Sequence, residues 1–184
     1  MHFGHANIIS YCARPFDNVG HMNEMLVQRW NDTVGSDDEV WVLGDVALGS
    51  IDDTLRLVGR LNGRKTLLAG NHDRCWAGYG DKAQRWVDVY LDAGFDAVLQ
   101  GWVPVTLGDI DALACHLPYS GDSHDHDRFT AHRPPDEGKL LLHGHVHDSW
   151  QINGRQVNVG VDVWDYRPVR DDDLLAALAA AAAA

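Results

Sequence analysis

The chain has 184 residues, 45% of them hydrophobic, and carries a formal net charge of -12. That length and composition suit one globular domain with a sizeable core, and they exclude a disordered chain. The charge disfavours a general nucleic-acid surface, which needs basic patches. It leaves a phosphorylated small molecule open as a substrate, because bound divalent cations invert the local sign. No apolar run approaches membrane-spanning length, and no signal peptide opens the sequence. Cys12, Cys75 and Cys115 are sparse and odd in number. They argue against a disulfide framework and for a reducing, cytoplasmic setting.

In chain order, Asp17 is the expected cap of a helix running to about Val34, with Met22, Met25, Leu26 and Trp30 on its buried face. Val40–Leu43 reads as a strand ending in Gly44-Asp45. Ser50 to Leu61 predicts a helix with Asp53 reaching back in a capping box and Leu55, Val58 and Leu61 buried; Asn62-Gly63 ends it. Lys65–Ala69 is a second apolar strand, closed by Gly70-Asn71-His72-Asp73. This strand, helix, strand order predicts a parallel unit.

Asp81 is the expected cap of another helix, with Trp86, Val87, Tyr90 and Leu91 inward and Gly94 as its stop. Val103–Leu107 and Ile110–Cys115 flank a Gly108-Asp109 turn, and His116 follows. Tyr119–Gly138 is polar and long for a connection, which makes it a solvated loop or a substrate lid. Arg128 and Arg133 are its candidates for touching a phosphate. Leu140–His143 leads into Gly144-His145-Val146-His147, and Asn153-Gly154 signals a last hairpin. Residues 171–184 read as an acidic-capped, alanine-rich helix.

Four strands thus each end in Asp, Asn, His or a His pair. In open α/β sheets, ligands bind beyond the carboxyl ends of strands. Taken in order, Asp45, Gly70-Asn71-His72-Asp73, His116 and Gly144-His145-Val146-His147 resemble the calcineurin-like metallophosphoesterases. The opening His2-Phe3-Gly4-His5-Ala6-Asn7-Ile8-Ile9 is similar to a small bacterial and phage branch of that family. The resemblance runs from His2 to about Asp162.

It implies a single domain over 1–184, built as a four-layer αββα sandwich of two mixed β-sheets flanked by helices. It also implies a dinuclear centre whose bridged hydroxide attacks a phosphomonoester or phosphodiester. His2, Asp45 and His147 would hold one ion, and Asp45, Asn71, His116 and His145 the other. Such Asp, Asn and His donors suit Mn²⁺ first, with Fe, Zn²⁺ or Ni²⁺ as alternatives. His72 would act on the reacting oxygens, Asp73 would orient His72, and His5 would contact substrate.

The family opens with a strand ending in Asp-x-His. Here Met1 stands at x and the first strand is missing: either the given start is late, and an upstream apolar run ending in Asp-x is expected, or the chain begins here and the first metal site is weakened. Upstream in-frame codons lacking such a run would refute the late start. Two other functions compete: a scaffold that keeps the fold without activity, and a nuclease-like enzyme on short oligonucleotides. The sequence leaves substrate and oligomeric state open.

Overall fold

A computed structural model describes residues 1–183. The first sheet comprises β1 (Glu39–Val42), β2 (Arg64–Leu68) and β3 (Ala97–Leu99), hydrogen-bonded in that order. Every pair in it is parallel, with Val40 opposite Lys65 and Leu67 opposite Val98. Mixed pairing was expected of both sheets; this one is wholly parallel because each connection is a helical crossover. Ile51–Thr54 (α3) and a 3₁₀ segment, Leu55–Arg60, make the first crossover. The second runs through α4 (Asp81–Asp92).

The second sheet is mixed. It holds β4 (Trp102–Leu107), β5 (Ile110–Cys115), β6 (Leu140–His143), β7 (Ile152–Asn153) and β8 (Gln156–Asn158) in the order β4-β5-β6-β8-β7. β5, β6 and β8 run parallel, and antiparallel hairpin arms flank them at either edge.

Strand alternation assigns each side chain to a layer. Leu67 packs with Ile8 of α1 (Ala6–Tyr11), Met22, Leu26 and Trp30 of α2 (Val19–Thr33), and Tyr90 of α4. Its neighbour Leu68 points the other way, into a cluster with Leu43 and Ala114 that also takes in Val103, Val105 and Leu142 of the second sheet. The two sheets are therefore stacked face to face, an α/β sandwich. Leu174 of α5 (Asp171–Ala182) packs on Leu107 and Val157. Tyr119 and Phe129 of the polar loop cover Leu113, Cys115 and Leu141.

Several local expectations change. Asn18, not Asp17, caps α2: its Oδ1 accepts the His21 N–H at 2.9 Å, while Asp17 pairs with the His21 ring. Ser50 forms no side-chain cap, so the capping box is absent and α3 tightens into 3₁₀ after one turn. Gly80, not Asp81, occupies the N-cap position of α4. Leu91 is 37% exposed rather than inward. The strand Ala97–Leu99 is an element that the residue pattern does not predict.

Among the described residues, no helix is long and apolar enough to cross a membrane. The outer edge of β1 is unpaired and faces a cleft of about 610 Å³, lined in part by Trp41, Val105, Val159 and Met1.

Candidate metal centre

The loops after β1, β2, β5 and β6 converge at the carboxyl ends of their strands and bring Asp45, Asn71, His116, His145 and His147 together. His2 arrives from the N-terminal segment. Its N–H donates to the Asp45 carbonyl at 2.9 Å, and a parallel bridge pairs Phe3 with Ala47. The approach requires glycine at two positions. A Cβ on Gly44 would stand 2.5 Å from Gly70 Cα and from His116 Nδ1, and one on Gly70 would collide with Asp45 Oδ1. His2, Asp45, His145 and His147 all adopt positive φ, between 51° and 69°. Non-glycine residues adopt this conformation at a cost of about 1–3 kcal/mol each and do so mostly at functional sites.

Proton accounting shows what the side chains lack. His116 Nδ1 lies 2.8 Å from the Leu43 carbonyl and must donate there. In the neutral ring this leaves a lone pair on Nε2, which lies 3.0 Å from Asn71 Oδ1 and 3.4 Å from Asp45 Oδ2. His145 Nε2 donates to Asp122 Oδ2 at 2.9 Å, so its Nδ1 lone pair faces the same Asn71 Oδ1, also at 2.9 Å. With the Asn71 amide in this orientation, two imidazole lone pairs, an amide oxygen and a carboxylate converge with no hydrogen between them.

On the other side of Asp45, His2 Nε2 lies 3.2 Å from His147 Nε2 and 3.6 Å from Asp45 Oδ2. Ligand atoms of His2, Asp45 and His147 all fall within 4.8 Å of one another, and His2 Nδ1 has no partner. A cation on each side of Asp45 would satisfy both clusters, and the all-N/O donor set suits a hard or borderline divalent ion. The residues present therefore fit a metal pair with Asp45 between.

No protein-family model matches this chain. It is 34% identical to the gene 66 protein of Mycobacterium phage L5, over 94% of this chain and 88% of that protein. Identity to the gene 66 protein of Mycobacterium phage D29 is 37%, over 89% and 85%. The chain belongs to the gene 66 protein family. This family reaches beyond phages: the uncharacterized protein MJ1445 of Methanocaldococcus jannaschii is 32% identical over 93% of this chain and 83% of its own length. The fold recurs in a crystal structure of the Aquifex aeolicus protein of unknown function AQ665, at a TM-score of 0.70 and 24% identity, covering 94% of this chain and 92% of that one.

In this gene 66 family member, the expected role of Asp73 changes. Its carboxylate is fully buried and accepts the N–H groups of Asp45 (2.8 Å), Val46 (3.0 Å) and Gly70 (2.9 Å), with Tyr90 Oη at 3.3 Å. It braces the Asp45 loop and makes no hydrogen bond to His72. His72 is exposed; its N–H donates to Asp45 Oδ1 at 2.9 Å, and its ring lies 5.7 Å from that of His2. His5 stands beside them, 5.5 Å ring to ring from His2.

Arg128 and Arg133 are not free to meet substrate. Arg128 binds Asp122 Oδ1 through Nε at 3.0 Å and Nη2 at 2.7 Å. Arg133, only 5% exposed in its side chain, holds the Gly121 and Arg128 carbonyls and approaches Asp122 at 3.4 Å. Both serve Asp122, which the sequence reading passed over. Burial opposes its ionisation, yet Arg128 and His145 together hold its carboxyl well below the ordinary carboxylate range. Asp122 fixes the His145 tautomer, so the polar loop is a built wall of the site. Replacing it, Asp122→Asn, should weaken Mn²⁺ binding about 10–100-fold, as loss of a ligand's hydrogen-bonded support does elsewhere. Equilibrium dialysis reads this directly, and unchanged affinity would deny Asp122 that role.

Charge within the cluster follows from burial. Burial opposes ionisation of Asp45 too, but His116, His72 and the His72 N–H hold its carboxyl below the usual range. Burial pushes the His143 and His145 rings each down to about 4, and moves His2 and His147 in the same direction. These imidazoles are therefore neutral at pH 7, the form that binds metal. The sign for stability is set by the unfolded chain, which takes up protons near pH 6.5 while the native site does not. The metal-free protein should be fully stabilised above pH 6.5 and lose stability as pH falls from 6.5 towards 4. Thermal midpoints measured over that window check it; a flat profile would mean that these rings protonate freely in the native state.

Proposed function

We propose that this chain is a metal-dependent phosphoesterase of the calcineurin-like type, hydrolysing a phosphomonoester or phosphodiester of a small substrate. The observation that carries the reading is the convergence of His116 Nε2 and His145 Nδ1 on the Asn71 side-chain amide beside Asp45, with His2 and His147 on the carboxylate's other side. Turning the Asn71 amide over would let its NH₂ donate to both rings, but would still leave the buried His2 Nδ1 without a partner.

His2, Asp45 and His147 would hold one divalent ion; Asp45, Asn71, His116 and His145 would hold the second. When bound, such a pair supplies Lewis acidity and lowers the pKa of the attacking water. Mn²⁺ is the first choice, with Fe, Zn²⁺ or Ni²⁺ also compatible with the donors. Exposed His72 stands at the mouth of the site, where a ring N–H would stabilise the phosphoryl oxygens or pass its proton to the leaving oxygen. His5 extends the same rim towards substrate. Three buried free thiols fit action in a reducing cytoplasm.

The test is hydrolysis of bis(4-nitrophenyl) phosphate by chelator-stripped protein refilled with Mn²⁺, Fe²⁺, Zn²⁺ or Ni²⁺ in turn. Asn71→Ala, purified identically, controls for contaminants. Metal-dependent turnover that Asn71→Ala removes supports the reading. Turnover that survives in Asn71→Ala would reject this site as its source.

A further inference from the structure

A cavity of about 380 Å³ opens beside His72, between α3 and the first turns of α4. Arg74, Lys82 and Arg85 line it, with Tyr79 and Trp86, and no carboxylate does. In a chain with 27 acidic and 15 basic residues, this exclusion of acid is unexpected by composition. Nor are these cations neutralised from elsewhere. Arg14, Arg29, Arg60, Arg64, Arg128, Arg133 and Arg155 each have a carboxylate within 4.0 Å. Among the described residues, Arg74, Lys82 and Arg85 have none; Arg56, Lys65, Lys139, Arg167 and Arg170 also lack one, but they do not line this cavity.

The Arg74 and Tyr79 side of the cavity is held in place. The Arg74 guanidinium lies 4.6 Å over the Trp86 ring, and its backbone N–H donates to Tyr90 Oη at 3.1 Å. Tyr79 Oη donates to the Asn71 carbonyl at 2.8 Å, which ties the wall to the loop that carries a proposed metal ligand. Like charges gathered around one space repel, and an anion held among them reverses that. Guanidinium and ammonium groups together are the donors that phosphate recognition uses.

We propose that this cavity binds a second phosphate group of the substrate, with Arg74, Lys82 and Arg85 as its ligands. The substrate is then a small molecule carrying at least two phosphoryl groups. One reacts beside His72, and the other anchors the molecule. The identity of that substrate class rests on the phosphoesterase reading; the anion site itself does not. Tyr79 and Trp86 offer aromatic surface for whatever organic part lies between.

The probe is inorganic tripolyphosphate, titrated calorimetrically into the full chain after chelator treatment, at low ionic strength. Without metal the histidine and carboxylate cluster has no attraction for an anion, so binding reports the cavity. Saturable binding to one site is expected. It should weaken at least tenfold in Lys82→Ala/Arg85→Ala, and not in Arg167→Ala, which removes an exposed cation outside the cavity. Both positions of the double variant are exposed, and its fold is checked by circular dichroism. No saturable binding overturns the proposal. So does binding that survives in the double variant, or that weakens equally in Arg167→Ala. Turnover is not read, so failure of the phosphoesterase reading leaves this result intact.

Discussion

Asp45→Ala is expected to lower Mn²⁺-dependent hydrolysis of bis(4-nitrophenyl) phosphate by about 10³-fold or more, a barrier increase of about 4 kcal/mol. Asp45 is the carboxylate shared by both clusters, with His2 Nε2 at 3.6 Å on one side and His116 Nε2 at 3.4 Å on the other. In the proposed centre, removing it would take a ligand from each ion at once, whereas Asn71→Ala would take one ligand from one ion. Steady-state rates of the chelator-stripped protein refilled with Mn²⁺ test this. Full activity in Asp45→Ala would contradict the assignment.

Asp73→Ala should have the reverse signature: unfolding first, with lost activity as a consequence. The side chain is fully buried and accepts three backbone N–H groups, those of Asp45, Val46 and Gly70. Truncation leaves all three without an acceptor, and each unsatisfied buried donor costs about 1–3 kcal/mol. Even at the low end this is about 3 kcal/mol, which in a chain of this size lowers the midpoint by roughly 6–12 °C. Had Asp73 only oriented His72, its loss would slow turnover and leave the midpoint nearly unchanged. Thermal unfolding of metal-free Asp73→Ala therefore separates bracing from orientation.

Asp73 also marks where sequence reading reaches its limit. Strands were legible because apolar runs such as Val40–Leu43 stop at Gly, and glycine is needed where Gly44 and Gly70 pass each other. Candidate ligands were legible because Asp, Asn and His recur where those strands end. What the side chains touch was not legible. Asp73 follows His72 in sequence, yet the turn aims its carboxylate back at the Asp45 loop. Arg128 and Arg133 read as free cations because Asp122 lies among several other loop acids, and only folding shows which one is buried between them. Arg74, Lys82 and Arg85 went unremarked for a related cause. They are spread along a loop and a helix, and become a group only when α4 packs beside His72. The β1 edge shows the same for pairing: nothing in Glu39–Val42 itself says that its outer side faces a cleft.

Equilibrium dialysis of the chelator-stripped protein against Mn²⁺ tests the central claim most directly. Two ions bound per chain are predicted, with Asn71→Ala losing one and retaining the ion held by His2, Asp45 and His147. A wild-type chain that binds no Mn²⁺ above the level of Asp45→Ala would contradict the metal centre and the phosphoesterase built on it.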